Sequence, residues 1–221
     1  MMGVVVQLTN NADLSLFEDD VIKKMAYQAI NRSAKWARTR MDREIRNQVN
    51  LPASYLRPSE GRLTVYSQAT TNNLEAVIQG RDRPTMLSRF IKGGEDASYQ
   101  KMKGARQRGR KAQAIRVGVK KGHYADFKGA FIVKLRGGEA TGNTGLAIRM
   151  RDGTKPSKAY APTQLKGFGE NVWLLYGPSV DQILWSVRNN GGVFAKVEDD
   201  VADKVNDEFS RLLNVEINRA R

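Results

Sequence analysis

Cysteine is absent from this 221-residue chain, and histidine occurs once, at His123. The first absence removes disulfides, thiolate metal ligands and thiol nucleophiles together, and the second leaves most zinc sites and serine-histidine triads without their imidazoles. Long apolar runs are missing too. No stretch approaches the roughly 18 residues that a bilayer span needs, so the sequence predicts no membrane partner. The chain carries no Lys or Arg before Lys23, and so lacks the charged start of a secretory signal, which predicts a protein made in a cytoplasm. Acidic residues are scarce in one region above all. The whole chain has 37 basic and 23 acidic residues, a net charge of +14; between Arg81 and Lys121 stand 13 basic and 3 acidic residues, so ten of those fourteen charges lie there. Such a balance favours a polyanionic neighbour without specifying a fold.

The centre of that region reads QKMKGARQRGRKAQ, Gln100 to Gln113, with Lys101, Lys103, Arg106, Arg108, Arg110 and Lys111 and no carboxylate among them. Residues 92–113 are poor in large apolar side chains and rich in Lys, Arg and Gly, a composition that cannot offset its own ordering entropy unaided. The segment is therefore expected to be a basic, flexible, low-complexity insertion within a single domain spanning 1–221. Its cations suit sequence-blind contact with nucleic-acid phosphates through counterion release; Tyr99 is its one aromatic residue, so base stacking has little to work with. A solvated loop accounts for the composition equally well.

Around the insertion the pattern is that of an α+β protein. Ser15 and Glu18 have the spacing of a capping box, and after them Ile22, Ala26, Ala29, Ile30, Ser33, Ala37, Met41 and Ile45 fall on one helical face, opposite Arg32, Lys35, Thr39, Arg43 and Arg46. A long helix is expected, ended by Pro52, with a short helical turn over PASYLR. RLTVYSQA and LEAVIQGR, separated by TTNN, read as a β-hairpin; AIRVGVK, GAFIVKLR, LAIRMR and NVWLLYG are further strands, for an antiparallel sheet of about five or six. Pro178 fits the first position of a helix through SVDQILWSVR, and Val197, Val201, Val205, Phe209 and Leu212 recur at helical spacing after Gly191-Gly192. These two C-terminal helices are expected to pack on the sheet.

No chemistry assembles from the titratable residues. Glu198, Asp199, Asp203 and Asp207 lie on one helical face and would offer oxygen ligands to a divalent cation, but without a paired Lys or His a solvated acidic face explains them better. His123, in KKGHYADF, stands in a loop and has no evident orienting partner. RGGEATGNTG lacks the Gly-Lys-Ser/Thr ending of a phosphate-binding loop and precedes a strand, so it reads as a hairpin loop; DGTKPSKAYAP, with Lys155 and Lys158, reads as an exposed connection. Neither a catalytic residue, a metal site nor a cofactor is predicted. An acidic last helix after a basic middle permits head-to-tail contact between copies.

Two stretches carry a resemblance. AINRSAKWARTRMDREIRNQVNLPASYL and LLYGPSVDQIL resemble the minor tail protein Z family of long-tailed phages, with Ala29, Ile30, Asn31 and Arg32 in one matching motif and Tyr176, Gly177, Pro178 and Ser179 in the other. The resemblance implies a structural virion protein, made in the host cytoplasm, that completes the tail as a homo-oligomeric ring at its head-proximal end. Such a ring joins tail to head, touches other tail or neck proteins, and surrounds the DNA channel. From another class stands a nonspecific DNA-binding protein acting outside the virion. In the second motif Gly177 is expected to permit a turn, Pro178 to open a helix and Ser179 to bond near its N-terminus.

Overall fold

The computed structural model describes residues 18–93, 114–135, 144–150, 155–156, 160–165, 171–186 and 192–220. The chain divides into two compact units, each assembled from segments distant in sequence: 1–45, 54–81 and 181–221 form one, and 46–53 with 82–180 form the other.

In the first unit, helix α1 (Asp19–Gln48) opens with Asp19 and Asp20 and closes with Arg46, charges that complement the helix dipole. It buries Met25, Ala26, Ala29, Ser33, Ala34, Ala37, Met41 and Ile45, close to the face expected from periodicity; Ile22 and Ile30 are only partly covered. Strands β1 (Leu63–Ser67) and β2 (Val77–Gly80) pair antiparallel as the anticipated hairpin, with a register shift between Val65 and Ser67. Helix α2 (Val180–Leu184) is short, and helix α3 (Glu198–Ala220) is long. Periodicity alone places both C-terminal helices on the sheet, but α3 finds its partner in α1. Phe209 and Leu213 close a cluster with Met25, Ala26 and Ala29, where three small or slender side chains on α1 leave room for the Phe ring. Ser33 of α1 reinforces the pairing by donating from its hydroxyl to the Lys204 carbonyl at 3.2 Å.

The second unit holds most of the strands. β3 (Thr85–Met86), β6 (Ala130–Lys134), β7 (Thr144–Arg149), β8 (Tyr160–Gln164) and β9 (Val172–Gly177) form a five-stranded antiparallel sheet in which β9 pairs with β3, β7 and β8. Val133, Ala147, Val172 and Leu174 are its buried cluster. β4 (Ile115–Val117) and β5 (Ala125–Phe127) form a separate two-stranded ribbon. Among the described residues the strands thus fall into three sheets, one of them five-stranded. β3 and β5 are too short to leave a pattern, and β8 contains Pro162, which sits at a register shift between Tyr160 and Thr163, where a missing N–H is tolerated. The end of the stretch read as an exposed connection, DGTKPSKAYAP, is therefore strand.

The first helix also stops earlier than Pro52 requires. Val49 forms an antiparallel bridge with Lys120, and the Asn50 N–H donates to the Val119 carbonyl at 2.9 Å instead of continuing the helical ladder. The short 3-10 turn over Ala53–Leu56 follows as expected, with Tyr55 and Leu56 buried.

Candidate functional site

Lys101, Lys103, Arg106, Arg108, Arg110 and Lys111 lie outside the described residues, but the structure shows where the chain leaves for them and where it returns. Ile91 bridges Val117 antiparallel, the Lys92 N–H donates to the Arg116 carbonyl at 2.9 Å, and the Gly118 N–H donates to the Phe90 carbonyl at 3.0 Å. Phe90 itself is buried, 2% exposed, at the end of a 3-10 turn over Leu87–Phe90. The two ends of the 94–113 segment are therefore tied side by side to a packed scaffold.

The turn that follows β4 is held just as firmly. Gly122, at φ 78°, closes it, with the His123 N–H donating to the Lys120 carbonyl at 3.1 Å. The side-chain amide of Asn50 donates to the carbonyls of Gly118 (2.9 Å) and Lys120 (3.3 Å), and the Lys121 N–H donates to the Gln48 carbonyl at 2.9 Å. On this frame Lys92, Lys120, Lys121, His123 and Tyr124 are all exposed. The Lys92 ammonium lies 5.2 Å from the centre of the Tyr124 ring, a cation–π distance. Nearby Arg116 is already engaged, its Nε 3.1 Å from an oxygen of Asp126.

An open, mostly apolar groove of about 470 Å³ runs past this turn, and its walls include Lys120, His123 and Tyr124 on one side of the sequence and Tyr176, Gly177 and Pro178 on the other. The second family motif thus borders the root of the basic segment. Within it the structure corrects two expectations. Gly177 makes no turn; it is the last residue of β9, paired with Thr85, and a Cβ there would stand 2.7 Å from the Phe90 ring, so glycine is required by close packing. Pro178 does not open the helix, since α2 starts two residues later at Val180, and Ser179, fully buried, occupies the position just before it. Tyr176 pairs across the sheet with Met86 and with Tyr160.

The first motif is equally structural. Ala29 is fully buried against α3; Ile30 borders a small apolar groove with Ala34, Leu74 and Val201; Arg32 reaches to 3.6 Å from Glu208. Asn31 makes the most specific contact of the four. Its Nδ2 donates to the Ala69 carbonyl at 2.9 Å and its Oδ1 accepts from the Ala69 N–H at 2.8 Å, so one side chain satisfies both backbone groups of a buried residue.

The acidic residues of α3 divide by position. Glu198, Asp199 and Asp200 fill its first turn, where the helix dipole favours them, and Asp200 pairs with Arg40 at 3.1 Å. Asp199, Asp203 and Asp207 are exposed, and among the described residues no group of three carboxylates or imidazoles is placed to hold a metal ion. His123 is an exposed turn residue, and Lys155 is exposed as well. Asn50, Gly118 and Tyr124, which shape the candidate surface, carry no signal in the sequence pattern; Lys92, Lys120 and Lys121 entered only as part of the charge excess.

These surfaces set exposed lysines on an α+β scaffold. The model of the family described as prophage minor tail protein Z (GPZ) matches residues 9–220, nearly the whole chain. The protein belongs to the minor tail protein Z family, whose role is structural, in the phage tail, so its place is the virion and its neighbours are other tail proteins. Neither a curated protein nor a solved structure matches the chain. No described helix is long and apolar enough to cross a membrane.

Proposed function

We propose that the protein is a tail completion protein that assembles as a homo-oligomeric ring at the head-proximal end of the tail and joins tail to head, with the 92–113 segment of each copy turned to the DNA channel. It acts without catalysis. One observation carries this reading: the residues on either side of the most cationic stretch of the chain are tied together, through the Ile91–Val117 bridge and its two flanking hydrogen bonds. In a closed ring, symmetry repeats that point at one radius, and so lines one surface with positive charge, which suits passage or anchoring of a polyanion. A ring also needs two different patches on each copy; the exposed carboxylates Asp199, Asp203 and Asp207 offer a face of opposite sign for neighbours.

The test is replacement of Lys101, Lys103, Arg106, Arg108, Arg110 and Lys111 together by Gln. The variant should fold with an unchanged unfolding midpoint yet give fewer infectious particles, with tails that fail to join heads or to pass DNA. An unchanged yield of infectious particles overturns the proposal.

A further inference from the structure

We propose that Lys92, Lys120 and Lys121 form a preset contact for the DNA phosphate backbone on the folded scaffold itself, in addition to the cations between Lys101 and Lys111; this rests on the proposed placement around the channel. These ammonium groups come from two stretches of chain that backbone pairing brings together. Lys92 is fixed by its N–H bond to the Arg116 carbonyl, and Lys120 and Lys121 by the Val49 bridge, the Asn50 amide and the Gln48 carbonyl. Tyr124 is a positioning residue. Its ring fills the notch over Gly118, where a Cβ would lie 2.5 Å from the ring, and it carries the Lys92 ammonium over its face.

The chemistry suits a polyanionic backbone. Among the described residues none of the three lysines makes an ion pair with a carboxylate. Arg116, a guanidinium nearby, is already paired with Asp126. What remains is three compact point charges on flexible stems, suited to an oxygen-rich backbone that is read without direction or sequence. Because the backbone beneath them is held by hydrogen bonds, contact here costs little ordering entropy.

The experiment measures anisotropy of a short labelled duplex with the full chain over a salt series, for wild type, for K92Q/K120Q/K121Q, and for the six-residue Gln variant of the 101–111 cluster. If each lysine neutralises one phosphate, the triple variant lowers the steepness of log Kobs against log salt by about 2.7, so that wild type loses about 40-fold more affinity than the variant between about 50 and 200 mM salt. Lysines exposed at the surface leave the fold intact, so the unfolding midpoint of the triple variant should match wild type; Y124A should give a smaller loss by freeing Lys92. A slope unchanged in the triple variant but reduced in the six-residue variant overturns this inference and leaves the channel reading standing. If wild type shows no salt-dependent binding, both fall. If the triple variant instead loses self-association in the absence of DNA, the lysines serve an acidic face of a second copy and the inference is overturned.

Discussion

Asn31→Ala isolates one device that the first unit depends on. The Asn31 amide satisfies the N–H and the C=O of Ala69 at 2.8 and 2.9 Å, and Ala69 is 4% exposed, two residues past the end of β1. Removing the amide leaves two buried backbone groups without their partner, at about 1–3 kcal/mol for each, less what water recovers, so a loss of about 2–4 kcal/mol is expected. For a chain of this length each kcal/mol lowers the melting temperature by about 2–4 °C, which predicts a fall of about 5–15 °C. Urea unfolding of the purified protein measures the first figure and a thermal scan the second. Amide exchange at Ala69 should accelerate at the same time, because its N–H loses its acceptor. Lys35→Ala, an exposed change on the same helix, serves as the control and should stay within about 0.5 kcal/mol of wild type. If Asn31→Ala behaves like that control, the chain after β1 is held by something other than this clamp, and the reading of Asn31 is refuted.

Gly177→Ala should destabilise by about 1–3 kcal/mol in urea unfolding, because the new methyl meets the buried Phe90 ring at 2.7 Å, and adding Phe90→Leu should recover part of the loss. Phe209→Ala empties the cluster between α1 and α3 and should cost about 3–5 kcal/mol by the same measurement; a cost below about 1 kcal/mol would mean that the two helices do not depend on that ring. Arg40→Ala should cost no more than about 1 kcal/mol, since its pair with Asp200 is 35% and 46% exposed, and the difference should vanish in high salt.

Much of this fold is legible in the sequence, and the reason differs by element. The buried face of α1 follows from periodicity because thirty residues sample it many times, and the β1–β2 hairpin follows from two alternating runs around TTNN. Partners are less legible than elements. Nothing local to α3 says whether Phe209 faces a sheet or a helix; the small side chains at Ala26 and Ala29 decide it, and they stand about 180 residues away. The end of α1 is a similar case. Pro52 is a strong stop, yet the backbone pairing of Val49 and Asn50 with residues 119 and 120 acts first. At the candidate site the charge excess is visible in composition, whereas the frame that fixes Lys92 and Lys120 is built from long-range backbone pairing and the Asn50 amide, which no local pattern encodes.

Both motifs that carry the family resemblance are packing devices. Asn31 ties the chain after β1 to α1, Ala29 admits Phe209, and Gly177 admits Phe90, so these residues help specify which scaffold is built. The charge lies elsewhere, mostly between Arg81 and Lys121. That separation has a cost in the proposed ring: bringing copies together crowds segments of one sign, and the repulsion acts over about 8 Å at physiological ionic strength. A polyanion in the channel reverses its sign. In the proposed ring, closure and genome contact are then coupled, and DNA that binds the folded chain adds to its stability by mass action.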